Sequence, residues 1–291
     1  MVAKRAAWLA MATLAIGCLA GPRHRRAVDV RAEPARTATE RAVASVSQTQ
    51  PPRSVELVAD ATPTDLVADA PPLPSPAATG TFASGTGPAT TYGAMDGATC
   101  EATLRQRAVP FVRVPGGARG VDRPIRLAGR LHGVEFHSML AQRDRGQSPY
   151  EILDCRLALA LDDLSAILAA HDVVEAIHYS MYRPPGKSAD LSKPKSQHEG
   201  AMAIDLAILV KRDGTKLSVL ADWHGGIGQR TCGAGAGPSP ATKAALELRG
   251  LLCEVAQRRI FNVILTPNFN KPHANHFHLE VTKGVKWFLL H

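Results

Sequence analysis

The run Ala201-Met202-Ala203-Ile204-Asp205-Leu206-Ala207-Ile208-Leu209-Val210 constrains this chain more than any other stretch. Read as a strand, it puts Met202, Ile204, Leu206, Ile208 and Val210 on one face and Ala201, Ala203, Asp205, Ala207 and Leu209 on the other. The bulky face belongs in a core. The small face leaves room around one aspartate, and an acid in an apolar strand is costly unless a cation, a donor or a metal answers it. The chain has to fold so that Asp205 meets such a partner.

Candidates flank the strand in sequence. His198 lies seven positions before Asp205, within Ser196-Gln197-His198-Glu199-Gly200, and His273-Ala274-Asn275-His276-Phe277-His278-Leu279-Glu280 follows about seventy residues later. A strand there puts His276, His278 and Glu280 on one face, with Phe277, Leu279 and Val281 packed behind. His198, Asp205 and one late histidine form the ligand set that suits Zn²⁺ with a position left for water. Such an ion lowers the pKa of its water to about 7 and polarises a carbonyl. The other late histidine could take the water's proton and pass it to a leaving amine. Arg183 ends a strand over 173–183 just before Pro184-Pro185-Gly186, where a guanidinium can reach a ligand carboxylate or a developing oxyanion. The competing reading of these residues is a hydrogen-bonded polar cluster without metal.

The N-terminal third cannot supply the core. Ten of the 21 prolines lie between Pro22 and Pro88, and residues 21–98 are rich in Ala, Thr, Ser and Pro with few aromatics. Such a segment cannot bury enough surface to offset its ordering entropy, so a disordered tether is expected. Ahead of it, Lys4-Arg5 and the uncharged run 6–17 read as a secretory signal over 1–20, too short to span a bilayer. Ala15-Ile16-Gly17-Cys18 resembles a lipoprotein cleavage box, with Ala15 where leucine is usual; lipidation of Cys18 would anchor the protein to a membrane without spanning it. Export to the periplasm or cell envelope is the expectation.

Setting Cys18 aside leaves Cys100, Cys155, Cys232 and Cys253, an even set in an oxidising compartment. Of three connectivities, Cys100 to Cys155 and Cys232 to Cys253 are favoured because they close the shorter loops. The net charge of +8 falls mainly on the region from residue 96 onward, which carries +6. A basic exported domain points to anionic envelope polymers, and no pattern for nucleic acid is present.

Residues 99–291 should form one folded domain. Expected elements are helices over 101–109, 149–170 and 240–259, and strands over 111–114, 131–136, 173–183, 201–210, 217–220 and 260–265. His132 and His137 read as surface or hydrogen-bonded, and Asp162-Asp163 as solvated. The glycine-rich Asp222–Gly228 loop lacks dinucleotide and P-loop spacing.

Ser196-x-His198 followed by Ala203-x-Asp205 resembles the SxHxxGxAxD motif of the metallopeptidase superfamily of D-alanyl-D-alanine carboxypeptidases, lysostaphin-type enzymes and hedgehog domains. His276-x-His278 resembles its HxH motif, as in penicillin-insensitive murein endopeptidases. A closer resemblance, over roughly 99–285, is to the bacterial extensin-like C-terminal family. It runs through Leu153-Asp154-Cys155, Tyr179 to Arg183, the histidine motif, Asp213-Gly214, Val219 to Trp223, Cys253 and Leu265-Thr266-Pro267-Asn268-Phe269-Asn270. The resemblance implies His198, Asp205 and His278 as zinc ligands, His276 as general base, and Arg183 with Ser196 at the substrate. The motif's glycine is Ala201 here, with Gly200 one place early.

The expectations are therefore an α+β domain with a central antiparallel sheet and flanking helices. It would be a monomeric, exported zinc peptidase acting on peptidoglycan stem peptides or cross-links; the alternative is a non-catalytic module binding peptidoglycan through the same groove.

Overall fold

The computed structural model describes residues 83–291. The expected signal segment, Cys18 and most of the expected tether lie outside the described residues. The chain opens with β1 (Ala83–Ser84), α1 (Pro88–Ala94), α2 (Gly97–Gln106), β2 (Phe111–Arg113), β3 (Pro124–Leu127) and β4 (Glu135–Ser138). Next come α3 (Gln142–Arg145), β5 (Leu153–Asp154), α4 (Cys155–Ala170), β6 (Val173–His178), β7 (Ala203–Lys211) and β8 (Lys216–Ser218). It closes with α5 (Val219–Asp222), α6 (Lys243–Gln257), β9 (Val263–Leu265), β10 (Phe277–Glu280) and β11 (Trp287–Leu290). Among the described residues no helix is long and apolar enough to cross a membrane.

The class is α+β, as expected. The main sheet runs β1-β11-β9-β10-β7-β6-β4, with β8 also paired to β7. It is mixed: β4 with β6 and β11 with β9 are parallel, and the other pairs antiparallel. A small antiparallel sheet, β2-β3-β5, lies apart. The long strand β7 is the spine, bonded to β6 along one edge and to β10 and β8 along the other.

Helix α4 is apolar nearly all round and is the buried core helix, contacting α1, α2, α6 and β6. It begins at Cys155, six residues later than expected from 149, because the Asp154 side chain caps it by accepting from Arg156 N. Pro149–Glu151 ahead of it makes a separate 3-10 turn. Asp162 and Asp163 are not solvated: Arg107 bonds both, at 3.2 and 2.8 Å, and the Tyr92 hydroxyl donates to Asp163. His132 pairs with Asp162, and His137 is bonded to the Ser138 carbonyl, as the hydrogen-bonded reading expects.

The fold starts earlier than residue 99, since β1 pairs with β11 and α1 packs on α4, burying Tyr92. The favoured cysteine pairing is present. Cys100 bonds Cys155, joining α2 to the start of α4, and Cys232 bonds Cys253, fastening the loop after α5 onto α6.

Candidate metal centre

The antiparallel register of β10 on β7 sets His278 directly across from Asp205, which is how the lone acid finds its partner. His198 arrives from a 3-10 turn, Gln197–Gly200, just before β7. Ser196 begins that turn, its hydroxyl accepting from His198 N at 3.2 Å, so Ser196 shapes the backbone that presents the histidine. Ala201 ends it with φ 54° and ψ 34°, the left-handed conformation that explains a glycine at this place in the motif. Its N–H donates to the His198 carbonyl and its own carbonyl accepts from Asp154 N.

Three ligand atoms converge. His198 Nε2 lies 3.0 Å from Asp205 Oδ1 and 3.2 Å from His278 Nδ1, and His278 Nδ1 lies 3.0 Å from Asp205 Oδ1. All three residues are buried. The far side of each ring is fixed. His198 Nδ1–H donates to the Met181 carbonyl at 3.0 Å, and His278 Nε2–H to Glu280 Oε2 at 2.9 Å. A neutral imidazole with one nitrogen protonated presents a lone pair at the other. Two ring lone pairs and a carboxylate oxygen thus face one another, an arrangement that requires a cation or a shared proton between them. Tetrahedral ligation by bonds of about 2.0–2.1 Å separates ligand atoms by roughly 3.3 Å, close to these distances. The group could hold a metal ion.

The charges agree with this picture. Burial opposes ionisation of Asp205, yet without a cation its interactions with His198 and His278 hold the carboxyl far below the usual range. Burial pulls His278 down, but Asp205 and Glu280 on its two sides raise it to about 9, so it carries the shared proton when no cation is bound. His276 stands beside the triangle with Nε2 3.4 Å from Asp205 Oδ1. Burial outweighs the pull of Asp205 and holds its pKa at about 4, leaving a neutral imidazole near pH 7.

Arg183 reaches the same carboxylate from the exposed side, with Nη1 3.4 Å from Oδ2, an oxygen that also accepts from Ser180 Oγ at 3.3 Å. The strand expected over 173–183 stops at His178, but the chain beyond it still bonds both sides of Asp205 and so delivers Arg183. His198, Asp205, His278, His276 and Arg183 therefore lie at or next to one centre, and Ser196 contributes through the backbone alone. Several neighbours were missed. Strand phase puts Glu280 on the right face but assigns it no role, and Asn275 bonds both His276 Nδ1 (2.8 Å) and the Tyr179 hydroxyl (3.0 Å). His273 packs its ring 5.1 Å from His276 and 5.8 Å from His278, with Nδ1 held by Asn270. The spacing of the late cluster signalled these histidines; their orientation depends on loop geometry that spacing does not encode.

Residues 98–289 match the family model described as Extensin-like protein C-terminus. No curated protein and no solved structure matches the chain.

Proposed function

The chain belongs to the extensin-like C-terminal family, and from that premise we propose that it is an exported zinc-dependent peptidase acting on peptidoglycan peptides, of D-alanyl carboxypeptidase or endopeptidase type. The observation that carries the reading is the convergence of His198, Asp205 and His278 at 3.0–3.2 Å, each ring oriented by a partner behind it. Such partners orient ligands and raise their basicity in metal sites. The likeness of the two histidine motifs to those of the zinc metallopeptidases, and the secretion-type start, support the substrate and the compartment.

His198 Nε2, Asp205 Oδ1 and His278 Nδ1 would hold the ion. Zinc bound there supplies Lewis acidity, activating a water and polarising a carbonyl. Hydrolysis breaks the amide C–N bond with water supplying the oxygen. His276, the neutral imidazole beside the ligands, accepts the water's proton at Nε2 and returns it to the leaving nitrogen, while Asn275 holds the opposite edge of its ring. Arg183, with its side chain 53% exposed, binds a substrate carboxylate or the developing oxyanion.

The test is metal analysis together with incubation of the full chain on purified sacculi. The expected result is one zinc per chain and new amine ends among the muropeptides, both lost in His198→Ala and Asp205→Ala. Intact protein that takes up no zinc would overturn the reading. Sedimentation with chemically unchanged sacculi would identify the non-catalytic binding module instead.

A further inference from the structure

The loop from Arg183 to His198 carries Lys187, Lys193 and Lys195, all exposed, and among the described residues none of these ammonium groups meets a carboxylate. The loop's one acid, Asp190, accepts from Ser192 N and Oγ at 2.9 and 2.7 Å, and Glu199, just past its end, accepts from Lys195 N at 2.9 Å. The loop is fastened down. Arg119 donates to the carbonyls of Gly186 (2.9 Å) and Ala189 (3.3 Å), and Gly120, at φ +80°, lies so close beneath that a Cβ would come within 2.9 Å of the Glu199 carbonyl. Lys271, also exposed and with no carboxylate partner among the described residues, opens the turn that carries His273 against the other histidines.

Uncompensated like charges held together repel one another, and the same grouping raises the local concentration of an anionic partner. The grouping borders the segment that delivers both Arg183 and His198. Resting on the peptidase reading above, we infer that this loop is a cationic platform that captures the substrate polymer through the free carboxylates of its peptides, beside the metal centre. Lysines suit that role, because flexible point charges tolerate varied carboxylate positions where an arginine fork demands one geometry. An anionic membrane is the poorer partner, since docking this face on lipid would cover the metal centre.

The experiment is co-sedimentation of the full chain with purified sacculi across a salt series, comparing the parent with K187E/K193E/K195E and the matching Lys→Gln triple. Thermal midpoint and zinc content serve as the fold control. Charge reversal is expected to weaken low-salt binding by about tenfold or more and to flatten its salt dependence, with the glutamine variant in between. Unchanged affinity and salt slope in a folded, metal-replete reversal variant would overturn the platform. So would vesicles of anionic phospholipid that bind the parent more tightly than sacculi do. Salt-sensitive capture without cleavage would remove the peptidase reading and leave the platform; cleavage with capture indifferent to the lysines would do the reverse.

Discussion

Ala201 holds the turn after His198 in a conformation that an L-residue adopts at a cost of roughly 1–2 kcal/mol. Its methyl is fully buried beside Ile152 and Tyr182, which returns about 0.8 kcal/mol. Ala201→Gly should therefore change stability by less than about 1 kcal/mol in denaturant unfolding, and Ala201→Val should cost more than about 2 kcal/mol, because a β-branched residue resists positive φ. Equal stability of the two variants would contradict this account. Glu280 acts at one remove from the centre, by holding His278 Nε2–H. Glu280→Gln should weaken zinc binding by roughly 10–100-fold in a calorimetric titration while the fold persists. An unchanged affinity would mean that the carboxylate does not tune the ligand. Of the candidate ligands, Asp205 was legible from strand phase and His198 from its spacing, while the choice of His278 over His276 came with the family resemblance. The role of Glu280 was not legible, since it depends on which ring nitrogen turns which way.

The strands and helices record where local signals suffice. Helix α4 was visible from its apolar residues, but its start was misplaced because Leu153 and Asp154 pair with β3 before the helix begins. The contact of Arg107 with Asp162 joins residues 55 apart in sequence, so nothing local marked that acid pair as engaged. The parallel pairing of β4 with β6 likewise depends on tertiary placement rather than on alternation. The turn before α4 also carries an acid with a measurable consequence. Glu151 accepts from Ser138 N on β4 and faces buried His178 on β6; burial opposes its charge, but these partners win and lower its pKa to about 2. Because the folded value lies below the unfolded one, the contribution is complete above about pH 4.5 and is lost as pH falls toward 2. Urea midpoints of Glu151→Gln should therefore fall less steeply than the parent's across that interval. Parallel acid profiles would show that the pairing does not couple folding to protons.

Across the whole molecule, the candidate ligands are anchored by the main sheet and by a turn bonded to it, so the centre inherits the rigidity of the core. The α+β class and the one cluster among the described residues that could hold a metal followed from the pattern of apolar and ligand-capable residues. The onset of the fold did not, because β1 is two residues long and α1 sits in a stretch whose composition resembles the tether before it. That short strand is a cover. It satisfies the outer edge of β11, which in turn lies alongside β9, and α1 brings Tyr92 down onto the acids of α4. A protein begun at Thr99 would keep both disulfides and every candidate ligand, yet it would leave an open strand edge and an uncovered apolar seam, features that template pairing between molecules. On gel filtration it should assemble with rising concentration, whereas a protein begun ahead of Ala83 should elute at one position. The first residues of the fold, separated from β10 by β11 and β9 in the sheet, should thus govern whether the domain self-associates.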